Sequence, residues 1–214
     1  MLERLVELRG RDVLDIGCGD GALARALAAH GARATGIETS EEQLAEARGR
    51  EGGVRYLVGR AESLPIPDAS VDATVFMRSL HHSPAARALT EARRLLRPDG
   101  VVYIAEPLAE GDYFALVSLV EDEREVRAGA QRAIAEAPRS GLKHVRTVDY
   151  DVRVCLPGLA ALRARIVSVD PARAEVFDAH AAELTEAFER RGEAGERPRE
   201  RCFVQPMRAD LLRR

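Results

Sequence analysis

The 214-residue chain has few cysteines, almost no lysine and no long apolar run, and each absence removes a class of protein. Its cysteines, Cys18, Cys155 and Cys202, are odd in number, far apart and without CxxC spacing. That pattern suggests neither a disulfide framework nor a zinc site, so reduced thiols and no bound metal are expected. No stretch approaches the roughly 18 uninterrupted apolar residues of a membrane span. The start, Met1-Leu2-Glu3-Arg4, carries acid too early for a signal peptide, and a cytoplasmic chain away from membranes is expected. A net charge of -3 lacks the basic excess of a nucleic-acid partner. Lys143 is the only lysine among 32 basic residues, a bias without functional weight. What remains is ordinary: 46% apolar and 31% charged residues describe one globular domain over 1–214.

Short apolar runs alternate with helix-period segments through the first hundred residues, the pattern of strand-helix units around a parallel sheet. Strands are expected at Val13–Ile16, Ala34–Glu38, Val54–Val58, Val71–Met77 and Val101–Ala105. Helices are expected at Ala22–His30, from Ser40 with its capping-box Gln43 through Arg48, and at Pro84–Leu96. Arg97-Pro98-Asp99-Gly100 reads as a turn. Beyond Pro107 the alternation stops. A long or broken helix is expected from 113 to 137, a half-buried strand at His144–Cys155, and helices at Leu159–Val169 and Ala172–Arg190. A last strand is expected at Arg201–Leu212, although Pro206 would sit badly in a central one. The fold expected is a doubly wound, Rossmann-like α/β sheet of seven mostly parallel strands with an antiparallel strand at the C-terminal end. Residues 1–106 would form the cofactor half and 107–214 the substrate half.

The strongest constellation is Asp15-Ile16-Gly17-Cys18-Gly19-Asp20-Gly21, between a buried strand and a helix, followed by Glu38 at the end of the next strand. Glycines let the backbone turn sharply against a ligand, and a carboxylate about 20 residues on can accept from both ribose hydroxyls. Gly17-x-Gly19-x-x-Ala22 also satisfies the relaxed dinucleotide fingerprint, so spacing does not choose between cofactors. Asp15 does. An unpaired carboxylate at the strand end would repel a pyrophosphate by a few kcal/mol at an effective dielectric near 20. The same carboxylate attracts the α-ammonium of S-adenosylmethionine, directly or through a water, while the helix N-terminus favours that tail's carboxylate. The bland alternative is an Asp15 that caps the loop or the helix.

The segment Val13 to Gly21 resembles the first motif of class I S-adenosylmethionine-dependent methyltransferases. Arg60 to Asp72, Leu80-His81-His82, and Arg93 to Gly100 resemble, in order, motifs of the type 11 or UbiE-like small-molecule subgroup. The resemblance covers roughly residues 11 to 106. It implies that Asp15, Gly17, Cys18 and Gly19 meet the methionine portion and that Glu38 with Thr39 holds the ribose. It also implies that Ala61 and Glu62 line the adenine, and that Met77 and Arg78 border the methyl-transfer site. Where the family commonly carries an Asp able to accept from the adenine amino group, this chain has Arg60, which cannot accept.

Methyl transfer from a sulfonium needs chiefly alignment, and a base only when the acceptor must lose a proton. His81, His82 and, less favourably, Glu106 are the candidates for that role, or the histidines merely pack at the helix start. The catalytic candidates are therefore Arg78, His81 and His82. Tyr113, Phe114, Leu116, Val117, Leu119 and Val120 read either as a substrate cover, implying an apolar or aromatic small-molecule acceptor, or as ordinary core. A homodimer is compatible with the sequence. The rival readings are an NAD-dependent oxidoreductase and a nucleoside-cofactor-binding protein without catalysis.

Overall fold

The computed structural model describes residues 2–214. After a short helix α1 (Leu2–Leu5), β1 (Asp12–Ile16), α2 (Ala22–Ala29), β2 (Arg33–Glu38), α3 (Glu41–Arg48), β3 (Arg55–Val58) and β4 (Val71–Met77) follow the expected boundaries closely. A 3-10 turn at Leu80–His82 leads to α4 (Ala85–Leu95) and β5 (Leu96–Pro107). Neighbours among these five strands pair in parallel, in the order β3-β2-β1-β4-β5.

The Arg97–Gly100 turn lies within β5. Leu96 pairs with Val71 and Val101 with Ala73, so the turn is a bulge across a register shift. Asp99 supplies a left-handed φ of 65° there.

Next come α5 (Gly111–Val117), α6 (Arg124–Glu136), β6 (Lys143–Leu156), α7 (Leu159–Val167), α8 (Arg173–Ala179), α9 (Ala181–Arg191), the two-residue β7 (Glu193–Ala194) and β8 (Arg201–Arg213). The region from 113 to 137 is thus a broken helix. The single helix expected over Ala172–Arg190 is two, parted where His180 turns its N–H back onto Val176 O and Phe177 O. β8 lies between β5 and β6, so the C-terminal strand is central. Its direction follows from two hydrogen bonds: Arg214 N donates to Gly100 O, and Leu108 N to Pro206 O, an antiparallel relation to β5.

Pro206, expected to disfavour a central position, is accommodated beside the end of β5. Its carbonyl accepts from Leu108 N, and the Gln205 side chain donates to Leu108 O at 3.0 Å, supplying the donor that a proline lacks. The chain then departs at Gly111, where a Cβ would lie 2.4 Å from the Pro206 ring.

The expectation of reduced thiols fails. Cys155 on β6 and Cys202 on β8 form a disulfide with their Cα atoms 4.0 Å apart, leaving Cys18 as the free, buried thiol. The partners are 47 residues apart in sequence, and only the pairing of the last two long strands places them opposite one another.

The described residues divide into two compact units: residues 2–106, 128–148 and 208–214, and residues 107–127 with 149–207. The first is built around Leu14, Ile16, Phe76 and Ile104 of the sheet and Leu89, Ala92 and Leu95 of α4. In the second, Leu116, Leu162, Phe177, Leu184, Phe188 and Phe203 form the core. Phe114 is also buried, and Tyr113, Val117, Leu119 and Val120 pack against that core. The apolar run read as a substrate cover is therefore largely internal to its own unit.

Candidate active site

The carboxyl ends of β1, β4 and β5 meet in the first unit, and the glycine loop is built against them from both sides. Gly17 N and Cys18 N both donate to Ile37 O of β2, at 2.8 and 2.9 Å. Gly17 has a φ of 77°, open to glycine at little cost. A Cβ there would lie 2.5 Å from Ser79 Cβ. Gly21, with a φ of 76°, leaves room for Tyr56, whose hydroxyl would be 2.3 Å from an added Cβ. Tyr56 on β3 stands opposite Gly36 of β2, so the second strand also carries a glycine where that ring crosses it.

Asp15 ends up 1% exposed, and its Oδ2 meets no hydrogen-bond donor. Burial pushes its carboxyl up to about 7; the Ala24 amide in the first turn of α2 pulls the other way, and the Glu38 carboxylate adds a little to the rise. A buried carboxylate oxygen left without a donor costs stability, and a cationic or neutral hydrogen-bond donor reaching it would offset that cost.

Glu38 organises the next segment. Its Oε2 accepts from Gly19 N at 3.0 Å, and its Oε1 from Thr39 N at 2.7 Å, Thr39 Oγ1 at 3.0 Å and Ser40 N at 3.3 Å. These four bonds orient Glu38 and crowd Oε1, while Oε2, with a single donor, keeps a lone pair for a further one. Cys18 Sγ is buried and its thiol is pushed up to about 12, first by burial and then by Asp15 and Glu38. It is an inert wall of the loop.

Gly59 N donates to Glu38 O, which brings the turn at Arg60–Ser63 beside Glu38. Arg60 Nε donates to Glu62 Oε1 at 2.7 Å, and that bond holds the Glu62 carboxyl below its ordinary range. Arg60 thus fixes Glu62, with Ala61 between them. The loop is pinned from behind by α4: Glu91 accepts from Leu64 N at 2.7 Å, and Arg94 bonds both Glu91 and Ile66 O.

Met77 closes β4, and Arg78 follows with a left-handed φ of 58° while its N–H donates to Ala105 O. Glu106, 1% exposed at the end of β5, takes Ser79 N at 3.2 Å and Leu80 N at 2.8 Å on Oε1 and pairs with His81 Nδ1 through Oε2. His81 is buried, while His82 is exposed, its ring centroid 3.9 Å from that of His81. Sequence reasoning ranked Glu106 last of the candidate bases; it is the hub of this turn. Ser79, Tyr56, Glu91 and Arg94 were not foreseen. Gly36 inside a strand was the one local signal, marking a close approach that proved to be Tyr56.

The comparisons with known proteins agree with this architecture. A methyltransferase-domain family model matches residues 14–104. The fatty-acid O-methyltransferase of Mycolicibacterium smegmatis is 30% identical over 206 residues, covering 94% of this chain and 70% of that protein. The 27-O-demethylrifamycin SV methyltransferase of Amycolatopsis mediterranei is 34% identical over 176 residues, covering 78% of this chain and 61% of the relative. Several other curated relatives are matched over a third to a half of their own length. The structure of the YcgJ protein from Bacillus subtilis superposes with a TM-score of 0.66 over 99% of this chain and 95% of that one. At 21% identity that likeness shows the fold alone. The chain belongs to the S-adenosylmethionine-dependent methyltransferase family. Among the described residues no helix is long and apolar enough to cross a membrane.

Proposed function

We propose that the chain moves a methyl group from S-adenosylmethionine to a small-molecule acceptor by in-line displacement. The observation that carries this reading is Asp15 Oδ2, buried and without a donor beside the glycine loop. That orphaned oxygen suits the cationic α-ammonium of a methionine tail and opposes a diphosphate. Asp15 would hold the ammonium, Gly17 and Gly19 would let the backbone approach the tail, Glu38 would take the ribose hydroxyls, and Ala61 and Glu62 would flank the adenine. The bound cofactor supplies an activated methyl on a sulfonium.

The remaining task of the protein is alignment, which can provide most of the acceleration of such a displacement. Arg78, His81 and His82 are assigned to the acceptor side. The two relatives described above, a fatty-acid O-methyltransferase and a 27-O-demethylrifamycin SV methyltransferase, support transfer to oxygen. Calorimetry with S-adenosylhomocysteine and NAD tests the reading. Saturable binding of S-adenosylhomocysteine with none of NAD is expected, and the reverse pattern ends it. Methyl transfer to a panel of oxygen acceptors then separates an enzyme from a protein that only holds the cofactor.

A further inference from the structure

The acceptor side of the first unit carries a cation without an anion. Among the described residues four that are not glycine hold a left-handed φ: Ala69, Arg78, Asp99 and Arg199. Three of them lie one or two residues after a proline in a turn, following Pro67, Pro98 and Pro198. Arg78 has no such cause and sits directly on the end of a central strand. Residues held in sparsely populated backbone regions persist only where their surroundings over-determine them, and they gather at functional sites.

The surroundings here are explicit. Arg78 N is tied to Ala105 O at 2.8 Å, and the next two amides are tied to Glu106. Ser79 Oγ donates to Ile16 O at 2.6 Å, next to Gly17. The backbone on both sides of Arg78 is thus fixed by hydrogen bonds between the ends of β1, β4 and β5. Its side chain is exposed and is in no ion pair among the described residues. An arginine fixed in its backbone, unpaired in its side chain and standing at the methyl-transfer edge has the form of a receptor for an anionic group.

We propose that Arg78 receives the acceptor as a carboxylate, so that the product is a methyl ester. This rests on the reading of the chain as a methyltransferase and deepens it. Carboxyl groups titrate near pH 4 and are ionised at neutral pH, so the nucleophilic oxygen needs no base. That agrees with a site whose buried histidine is already committed to Glu106. A planar guanidinium offers paired N–H donors to a carboxylate, and the oxygen it holds keeps a lone pair for attack. The step balances without a proton: the O–CH3 bond forms as the S–CH3 bond breaks, its electron pair stays on sulfur, and the carboxylate and sulfonium charges both disappear.

The test uses the full chain loaded with S-adenosylhomocysteine and four probes: octanoate, benzoate and their primary amides. Calorimetry should show at least one carboxylate binding about tenfold or more tightly than its amide, as a charged hydrogen bond would give. With S-adenosylmethionine that acid should yield its methyl ester. Arg78→Gly, which suits the left-handed backbone, should fold at least as well as the parent and lose about tenfold or more of the carboxylate affinity. Its affinity for S-adenosylhomocysteine should stay unchanged, and Arg78→Lys should recover part of the loss. Equal binding of acids and amides, or a carboxylate affinity indifferent to Arg78→Gly, overturns the proposal. So does a variant that weakens S-adenosylhomocysteine itself, since Arg78 would then serve the cofactor. Failure of the parent chain to bind S-adenosylhomocysteine overturns the underlying reading as well, whereas intact cofactor binding with no preference for acids overturns this proposal alone.

Discussion

Ser79 fills the space that a side chain on Gly17 would need: a Cβ at residue 17 would stand 2.5 Å from Ser79 Cβ and 3.1 Å from its hydroxyl. The contact joins the loop after β1 to the turn after β4, and the Ser79 Oγ bond to Ile16 O locks it. Gly17→Ala must therefore push the two strand ends apart and also strain a φ of 77°. A loss of about 1–3 kcal/mol in stability is expected, together with loss of S-adenosylhomocysteine binding. Ser79→Gly in the same chain should recover part of the stability by clearing the clash. Urea unfolding of the three variants checks this, and a double variant no better than Gly17→Ala would show that the contact is not the cause.

The role proposed for Asp15 sets binding against stability. Its folded-state value of about 7 lies above the unfolded 3.8. Between those values the native chain holds a proton that the unfolded chain has released. The contribution is fully present below about pH 4 and is lost as the pH rises through about 7, a span worth about 4 kcal/mol. Asp15→Asn should therefore raise the midpoint of the cofactor-free protein at pH 8 while changing it little at pH 4. The same variant should weaken S-adenosylhomocysteine binding by about 1–3 kcal/mol. In the parent chain cofactor affinity should fall as the pH drops below about 7, because the ammonium then meets a protonated carboxyl. Thermal scans at the two pH values and calorimetry across the range decide it.

The parallel half of the fold was legible because each element has its own local signal: Val13 to Ile16 is a buried run, Ser40 and Gln43 cap a helix and Gly100 closes a turn. The placement of Asp15 and Glu38 around the glycine loop was legible for the same reason, since strand, loop and strand are adjacent in sequence. What lay hidden depends on long-range pairing. Tyr56 meets Gly21 only because β3 stacks beside β2. Glu106 meets His81 across 25 residues, through the pairing of β4 with β5. Pro206 was a correct warning about backbone donors, answered by the side chain of the preceding Gln205, which no periodicity announces.

Glu106 is the keystone of the turn after β4. Itself buried, it takes two backbone amides and one histidine nitrogen, the Leu80 and His81 bonds fully buried and the Ser79 bond partly so. Glu106→Ala leaves those donors without an acceptor, and a loss of about 2–4 kcal/mol is expected from urea unfolding. Glu106→Gln keeps an oxygen for Ser79 N and Leu80 N but turns a donor toward His81, so it should recover more than half of that loss while changing the His81 ring tautomer. Nitrogen-15 spectra of the imidazole would register that change, and an unaltered spectrum would show that Glu106 does not set the ring.

The disulfide gives the last expectation. Cys155 and Cys202 close a loop of 47 residues within the second unit, for which the chain-entropy model allows about 4 kcal/mol of stabilisation. Alkylation of the unfolded, unreduced chain should label one cysteine, Cys18, and reduction should expose two more. Reduction should also lower the resistance of that unit to proteolysis between 157 and 200, because the strands no longer hold the ends of α7, α8 and α9 together. The parallel half, with its core around Leu14, Phe76 and Ile104, contains neither disulfide partner and should keep its protection. Cys155→Ser with Cys202→Ser should reproduce the reduced behaviour without a reductant. Three alkylatable thiols in the untreated protein would show instead that the strands pair without the covalent link.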